Sequence, residues 1–317
     1  MRCRVAALFA LAAIATQARA QEAVRLTLNL MPGGAASRVV TGVIKGEWRS
    51  PEPLPVKLEV RVSSYIVVSQ VLSNGDAVIT VQPQGFQLKG TVGDAPLEWV
   101  ITADGDLRAC WRDRTFDSRQ LPQEARTPLR KALTAAYEVT ISPQGAIKSV
   151  KAPESVKADI WKEVPPEPKL AHKIAQALLQ TLWLPLLPNE PVKVGNRWSV
   201  NVPLAMFEDE TSFPLPLNCT FARTEGDEAH IAVQGELKGE GAELALKRVH
   251  VSDPKVTVQR GQLQLSGEVV FVLSLGVPQR AHWKLSGEVA GAVTPAEGTP
   301  QTFSFRFEAD FNDQLLF

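Results

Sequence analysis

The chain has 317 residues, with 34 basic and 34 acidic side chains and therefore no formal net charge. An apolar share of 44%, with 23 prolines and 21 glycines scattered along the chain, excludes collagen, coiled coil and disordered polymer. Zero net charge argues against nucleic acid as a principal partner.

The first twenty residues read as a secretory signal. Arg2 and Arg4 supply a basic start, Val5 to Thr16 an apolar stretch, and the A-R-A that ends at Ala20 a small-x-small cleavage site. The mature chain is expected to begin at Gln21. The apolar stretch is too short to span a bilayer, and no later segment reaches ~18 uninterrupted apolar residues, so no transmembrane helix is expected.

Residues 21–150 read as a β-rich half. Segments 24–30, 56–72, 77–82 and 86–92 are rich in β-branched residues or alternate apolar with polar, the pattern of half-buried antiparallel strands. Asn-Gly and Asp-Gly turns at 73–76 and 103–106 supply the positive φ that tight hairpins need. A short helix is predicted over 128–137, and a hairpin over ISPQGAIKSV (141–150).

Residues 151–191 read as a helical, Pro-rich connector. Leu170, Ile174, Leu178 and Leu182 recur every four residues on one amphipathic face, between the proline runs 165–168 and 184–191. Residues 192–317 then return to strands: 230–234, 254–259, 262–275 and 303–311. The C-terminal stretch FSFRFEADFNDQLLF (303–317) carries Phe307, Phe311 and Leu315 on its alternate positions, as a terminal strand of an outer-membrane barrel would. Asp313 breaks that face, and two tyrosines in the whole chain are too few for aromatic girdles.

The two halves look related. WVITADGDLRACW (99–111) aligns without gaps with FVLSLGVPQRAHW (271–283), which predicts equivalent hairpins with Trp111 and Trp283 turned inward. The expected fold is mainly β (α+β): two related antiparallel β-rich halves, built as curved sheets, half-barrels or a sandwich, joined by the connector. The hairpin SPQGAIKSV, the segment LPLLPNEPVKVGNRWS (184–199) and the later GEVVFVLSLG carry a resemblance. In these the chain resembles a group of uncharacterised exported bacterial proteins, a domain of unknown function, with an S-P-x-G-x-I-x-x-V hairpin and an LP-x-x-PVKVG-x-x-W segment. The resemblance implies a fold class and an export route, and no catalytic residues.

The sequence holds no nucleophile elbow, phosphate loop or dinucleotide fingerprint. His172, His230, His250 and His282 are scattered, without metal-ligand spacing, and read as ordinary strand or surface histidines. Asp104 and Asp106 flank a turn glycine; a calcium loop would need further oxygen ligands, so the hairpin-turn reading is preferred. Arg108, Arg112, Arg114 and Arg119, interleaved with Asp113 and Asp117, read as a self-paired solvated face, with anion binding as the alternative. Asn218 opens a formal glycosylation sequon in an apparent core strand. Cys219 shares its face with Leu215, Leu217 and Phe221 and looks inward, whereas Cys110 lies between Arg108 and Arg112 and looks outward. A Cys110–Cys219 disulfide is left open against two free thiols. Core packing is expected of Trp48, Trp111, Trp198 and Trp283, with a sugar- or lipid-binding platform as the alternative for any that is exposed.

No catalytic, cofactor-binding or metal residue is therefore predicted, and the chain is not expected to be an enzyme. The favoured function is an exported, periplasmic or envelope-associated β protein that binds an apolar or lipid-like ligand. The alternatives are a structural or interaction subunit of an envelope assembly with an envelope protein as partner, and an enzyme of unrecognised type. Oligomeric state, ligand and pathway stay open, as does whether the sheet interior is hollow or packed.

Overall fold

A computed structural model describes residues 23–50, 52–112, 114–151, 187–204, 213–238, 255–294 and 299–317. The expected signal segment 1–20, most of the expected connector (152–186), His172 and His250 lie outside the described residues.

The protein is mainly β. Strands β1 (Ala35–Arg49), β2 (Pro53–Val71), β3 (Ala77–Val92), β4 (Ala95–Ile101), β5 (Leu107–Trp111) and β6 (Arg114–Asp117) form an antiparallel meander. The helix α1 (Gln123–Thr134) follows, then the hairpin β7 (Tyr137–Ile141) and β8 (Ile147–Lys151), whose β7 pairs with the first part of β3. A second meander runs through β9 (Arg197–Leu204), β10 (Phe213–Glu225), β11 (Glu228–Leu237), β12 (Lys255–Val272), β13 (Val277–Thr294) and β14 (Gln301–Leu316). The two meanders share one sheet, because β1 pairs with β14 from Ser37 opposite Leu316 to Arg49 opposite Ser304.

Strict alternation puts one apolar and one polar face on this sheet. On β14, Phe303, Ala309 and Phe311 are buried while Arg306, Glu308, Asp310 and Asn312 face the other way. One contiguous core gathers Val40, Val62, Phe86 and Trp99 from the first meander with Phe221, Ile231, Phe271 and Trp283 from the second. Inward side chains are buried on strands all along this single sheet, which requires the sheet to curl over its apolar face. Leu129, Ala132 and Leu133 of α1 are buried as well. The helix was expected over 128–137; it begins five residues earlier and ends before Tyr137, which opens β7.

Glycines permit the curl. Gly42 lies opposite Phe311, Gly267 opposite Trp283 and Gly287 opposite Phe307. In each pair the aromatic ring folds down over the glycine; a Cβ on Gly42 would sit 2.2 Å from the Phe311 ring, and one on Gly267 2.4 Å from Trp283. A bare backbone on one strand thus gives the large side chain on its neighbour a place to lie, and the sheet bends there. The repeated L-S-G-E-V at 265–269 and 285–289 supplies two of these glycines.

Two pairs of expected strands are each one long strand. Segments 77–82 and 86–92 are both β3, in which a register shift near Pro83 and Gly85 transfers burial from Ala77, Ile79 and Val81 to Phe86 and Leu88. The bulge is what lets a proline sit inside the strand. Segments 254–259 and 262–275 are both β12.

The expected first strand, 24–30, is extended but crosses the fold instead of joining the ladder. Val24 and Val192 exchange backbone hydrogen bonds, Leu28 N–H donates to Pro143 O at 2.7 Å, and Asn29 N–H donates to Gly276 O at 2.8 Å. Leu26 between them is fully buried. Gly276 ends the β12–β13 turn with φ +65°, and a Cβ there would meet the Asn29 Cβ at 2.4 Å. This close approach needs a glycine.

The aligned segments 99–111 and 271–283 are both antiparallel hairpins, β4–β5 and β12–β13. Their registers differ. Trp111 lies opposite Leu97 and is half-buried, whereas Trp283 lies opposite Gly267 and is buried. On the ungapped alignment the two partners are offset by two residues.

Candidate functional site

The curl of the apolar face leaves a cavity of about 70 Å³ beside Trp283. Val269 and Phe271 of β12, Ala281 and Trp283 of β13, Leu315 of β14, Leu28 of the crossing segment and Leu187 give it apolar walls. Its polar side holds Arg38 and Asp313, the turn residue Gln144, and Gln279 and Arg280.

Arg38 and Asp313 both occupy inward positions on adjacent strands. The Arg38 Nε donates to Asp313 Oδ1 at 2.9 Å and Nη2 donates to Oδ2, a two-pronged pair with the two side chains 5% and 12% exposed. Asp313, which interrupts the apolar face of β14 in the sequence, is thus compensated by a cation on the strand alongside. The indole N–H of Trp283 is buried without a hydrogen-bond partner, as is that of Trp99 in the core. Trp283 lines the cavity; Trp99 does not line it.

The opposite face of the sheet is polar and laced with cross-strand pairs. It carries a broad groove of about 980 Å³ lined by Lys45, Asn218, Glu236, Lys284, Glu308 and Asp310 among others. His282 Nε2 lies 2.8 Å from Asp310 Oδ1, and the Ser199 hydroxyl donates to Asn218 Oδ1 at 2.8 Å. Asn218 of the sequon is therefore on the polar face, between the core residues Leu217 and Cys219.

His230 departs most from expectation. It sits on the polar face yet is only 3% exposed. Its Nδ1 hydrogen-bonds Glu268, and its Nε2 lies 3.6 Å from Glu228 Oε2 and 3.7 Å from Glu225 Oε2. Arg223 pairs with Glu225 and Glu268, and Arg280 with Glu228. Arg223 holds Glu225 below the ordinary carboxylate range, and His230 followed by Arg223 does the same for Glu268. A histidine oriented by a carboxylate is half of an acyl-transfer arrangement, which further requires a hydroxyl or thiol at the other ring nitrogen. Here that nitrogen faces two carboxylates, so the cluster is a charge network. Among the described residues no group of three or more His, Cys, Asp or Glu is arranged to hold a metal ion.

The Asp104–Asp106 turn is tied to the helix. Arg130 clasps Asp106 through Nε at 2.8 Å and Nη2 at 2.7 Å, and Arg126 Nη2 approaches it at 3.4 Å. A carboxylate shared by two guanidiniums is a poor cation ligand, and this geometry supports the turn reading. In the arginine-rich stretch Arg119 clasps Asp117, with Arg108 opposite Asp117 in the ladder. Arg112 lies over the Trp111 ring, 5.5 Å from its centre. Trp48 stacks on Phe303 at 4.7 Å and packs near Phe305, extending the aromatic row of β14.

Three aspartates in the first meander titrate low. Lys148 lowers Asp76, Arg130 lowers Asp106, and Arg119 takes Asp117 from 3.8 to about 2. A depressed folded pKa adds stability that is complete above the unfolded value and lost as pH falls through the folded one. The melting temperature should therefore fall between about pH 4 and about pH 2. Asp117→Asn should flatten that fall; an unchanged acid limb in this variant would remove Asp117 from the account.

Cys110 and Cys219 are free thiols. Burial pushes the Cys219 thiol up to about 12, while Cys110, half-buried, hydrogen-bonds Thr115 at 3.2 Å. A thiol reagent should modify Cys110 in the native protein and Cys219 only after unfolding, because the thiolate is the reactive form. Two equally fast thiols would contradict the burial of Cys219.

No family model matches the chain, and no curated protein matches it. Among solved structures, one described as lipid–protein interactions in lipovitellin is similar with a TM-score of 0.44 and 12% identity, over 90% of this chain and 25% of that one. The chain thus spans a quarter of the length of that protein. Pseudomonas aeruginosa OccK7 (OpdD) is similar at TM-score 0.20 and 8% identity, over 90% of this chain and 99% of its own. An outer membrane channel from Pseudomonas putida F1 is similar at TM-score 0.21 and 8% identity, over 91% and 97%. Likenesses at this level set no function for the chain. Among the described residues no helix is long and apolar enough to cross a membrane.

Proposed function

We propose that this chain is an exported, non-catalytic β protein of the bacterial envelope that binds an apolar or lipid-like ligand in the cavity beside Trp283. The observation that carries the reading is the cavity wall. Val269, Phe271, Ala281 and Leu315 line it side by side, and of the charged groups on its border Arg38 is paired with Asp313 and Arg280 with Glu228. Apolar walls with a few placed polar groups are the usual make-up of a small-molecule site. Export rests on the basic, apolar and small-residue order of residues 1–20. The non-catalytic reading rests on the groups around His230, which balance charge and present no hydroxyl or thiol at its free ring nitrogen.

The size of the cavity favours a second reading. About 70 Å³ is small beside the several hundred Å³ of most ligand sites. A packed interior would suit a structural or interaction subunit of an envelope assembly without a small ligand.

Delipidated protein titrated with a fluorescent fatty acid separates the two. Saturable uptake at one site, lost in Ala281→Leu with the fold retained, is the expected result. Absence of saturable uptake would overturn the carrier reading and leave the structural one.

A further inference from the structure

We propose that the groove on the polar face is a binding site for a single chain of an uncharged oligosaccharide laid across the strands. The groove shares no lining residue with the cavity beside Trp283 and stands whether or not that cavity holds a ligand. At about 980 Å³ it has the size of an ordinary small-molecule site.

Strand register builds the groove from two rows of side chains. Val43, Asp310, Lys284, Ser266, Gln234 and Asn218 lie opposite one another in turn, from β1 across to β10. Two residues along the strands, Lys45, Glu308, Ser286, Gln264 and Glu236 form the second row. The first row crosses six strands, a length of about 24 Å at about 4.8 Å per strand, and the two rows stand about 7 Å apart. A helix, about 10–12 Å across with its side chains, is too thick to lie between them, whereas one extended chain fits. A smaller groove of about 370 Å³ shares Val43 and Asp310 and carries the same face on to Arg61 of β2 and Gln87 of β3.

The chemistry of the rows selects the chain. Each charge in them has a counter-charge beside it: Lys45 lies opposite Glu308, Lys284 lies opposite Asp310, and Lys238 pairs with Glu236 at 2.6 Å. A polyanion or a polycation therefore finds no net attraction here. The other polar groups are amides and hydroxyls, which both donate and accept. Gln264 donates to Glu236 and Asn218 accepts from Ser199, but the side chains of Gln234, Ser266 and Ser286 make no hydrogen bond among the described residues. Sugar hydroxyls complement them, since each of those also donates and accepts. An extended peptide is a poorer match. Peptides add to a sheet at its edge or fill apolar pockets, and this groove runs across strands whose backbone groups are committed to the ladder. None of the described lining residues is aromatic, so binding rests on hydrogen bonds and is expected at a Kd of about 0.1–1 mM.

The test titrates the protein with two uncharged hexasaccharides, maltohexaose and N-acetylchitohexaose, and with a sulfated heparin hexasaccharide as the charged control. At least one uncharged hexamer should bind saturably and shift the side-chain amide resonances of Gln234 and Gln264. Its affinity should change less than about twofold as salt is raised about tenfold. The matching disaccharide should bind at least about tenfold more weakly, because it reaches only part of the two rows. Gln234→Ala with Ser286→Ala, both without hydrogen bonds of their own, should weaken the hexamer at least about fivefold with an unchanged melting temperature. Which hexamer binds would identify the sugar. Absence of saturable binding by both, tighter binding of the sulfated chain, equal binding of disaccharide and hexamer, or a hexamer affinity untouched in the folded double variant would each overturn the proposal. Fatty-acid uptake at the cavity is read in a separate titration, so either reading can fail without the other.

Discussion

Asp313→Ala is expected to destabilise the protein by about 3–5 kcal/mol, because it leaves the Arg38 guanidinium buried without its counter-charge. The pair sits inside the sheet, with Arg38 on β1 and Asp313 on β14, so its loss acts where the two meanders join. Arg38→Ala strands the carboxylate instead and should cost a comparable amount. The double replacement Arg38→Met with Asp313→Leu should recover most of the loss, since two apolar side chains need neither desolvation of charge nor a partner. Urea unfolding of the four proteins measures this. Single variants within about 1 kcal/mol of wild type would show that water reaches the pair and screens it. A double variant as unstable as the singles would show that the pair also fixes the register between β1 and β14.

This pair also marks what the sequence could not show. Asp313 is visible there as a break in an alternating apolar face, but its partner lies 275 residues away. Alternation reports which face a side chain takes and nothing about which strand lies alongside. The alternation of β14 was legible for the same reason, and so was the opposition of Cys110 and Cys219, because both follow from period two within a single strand. β1 was missed because Gly42 and Gly46 interrupt its β-branched run. The glycines are explained by what β14 lays against them, the Phe311 ring over Gly42 and the Arg306 carbonyl with the Phe305 ring over Gly46. Pro83 lies between the segments 77–82 and 86–92, where a proline normally interrupts a strand, and the bulge in β3 accommodates it. His230 illustrates a signal that was present and unread. Glu225 and Glu228 lie five and two residues before it, across a tight turn, so a hairpin reading alone would bring them together. Glu268 and Arg280, which complete the network, come from strands that only the fold brings near.

The second large effect is expected at Trp283. Trp283→Ala should cost about 3–5 kcal/mol, as for other buried aromatic rings, and should enlarge the cavity its ring borders. Gly267→Ala should also destabilise, by about 1–3 kcal/mol, because its new methyl would lie 2.4 Å from the ring and 2.5 Å from the His282 carbonyl oxygen. The two effects should not add. Once the ring is gone, a methyl at 267 loses its clash with the indole but keeps its close approach to the His282 carbonyl oxygen, 2.5 Å away. Gly267→Ala should therefore be less harmful in the Trp283→Ala background than in wild type, without becoming stabilising, because that oxygen stays where it is. A double-mutant cycle from denaturant unfolding reads this coupling directly. Simple additivity would mean that the glycine is needed for the close approach of the His282 carbonyl and not for the ring above it. The same reasoning would then have to be withdrawn for Gly42 beneath Phe311 and Gly287 beneath Phe307, where the curl of the sheet has been attributed to the same device.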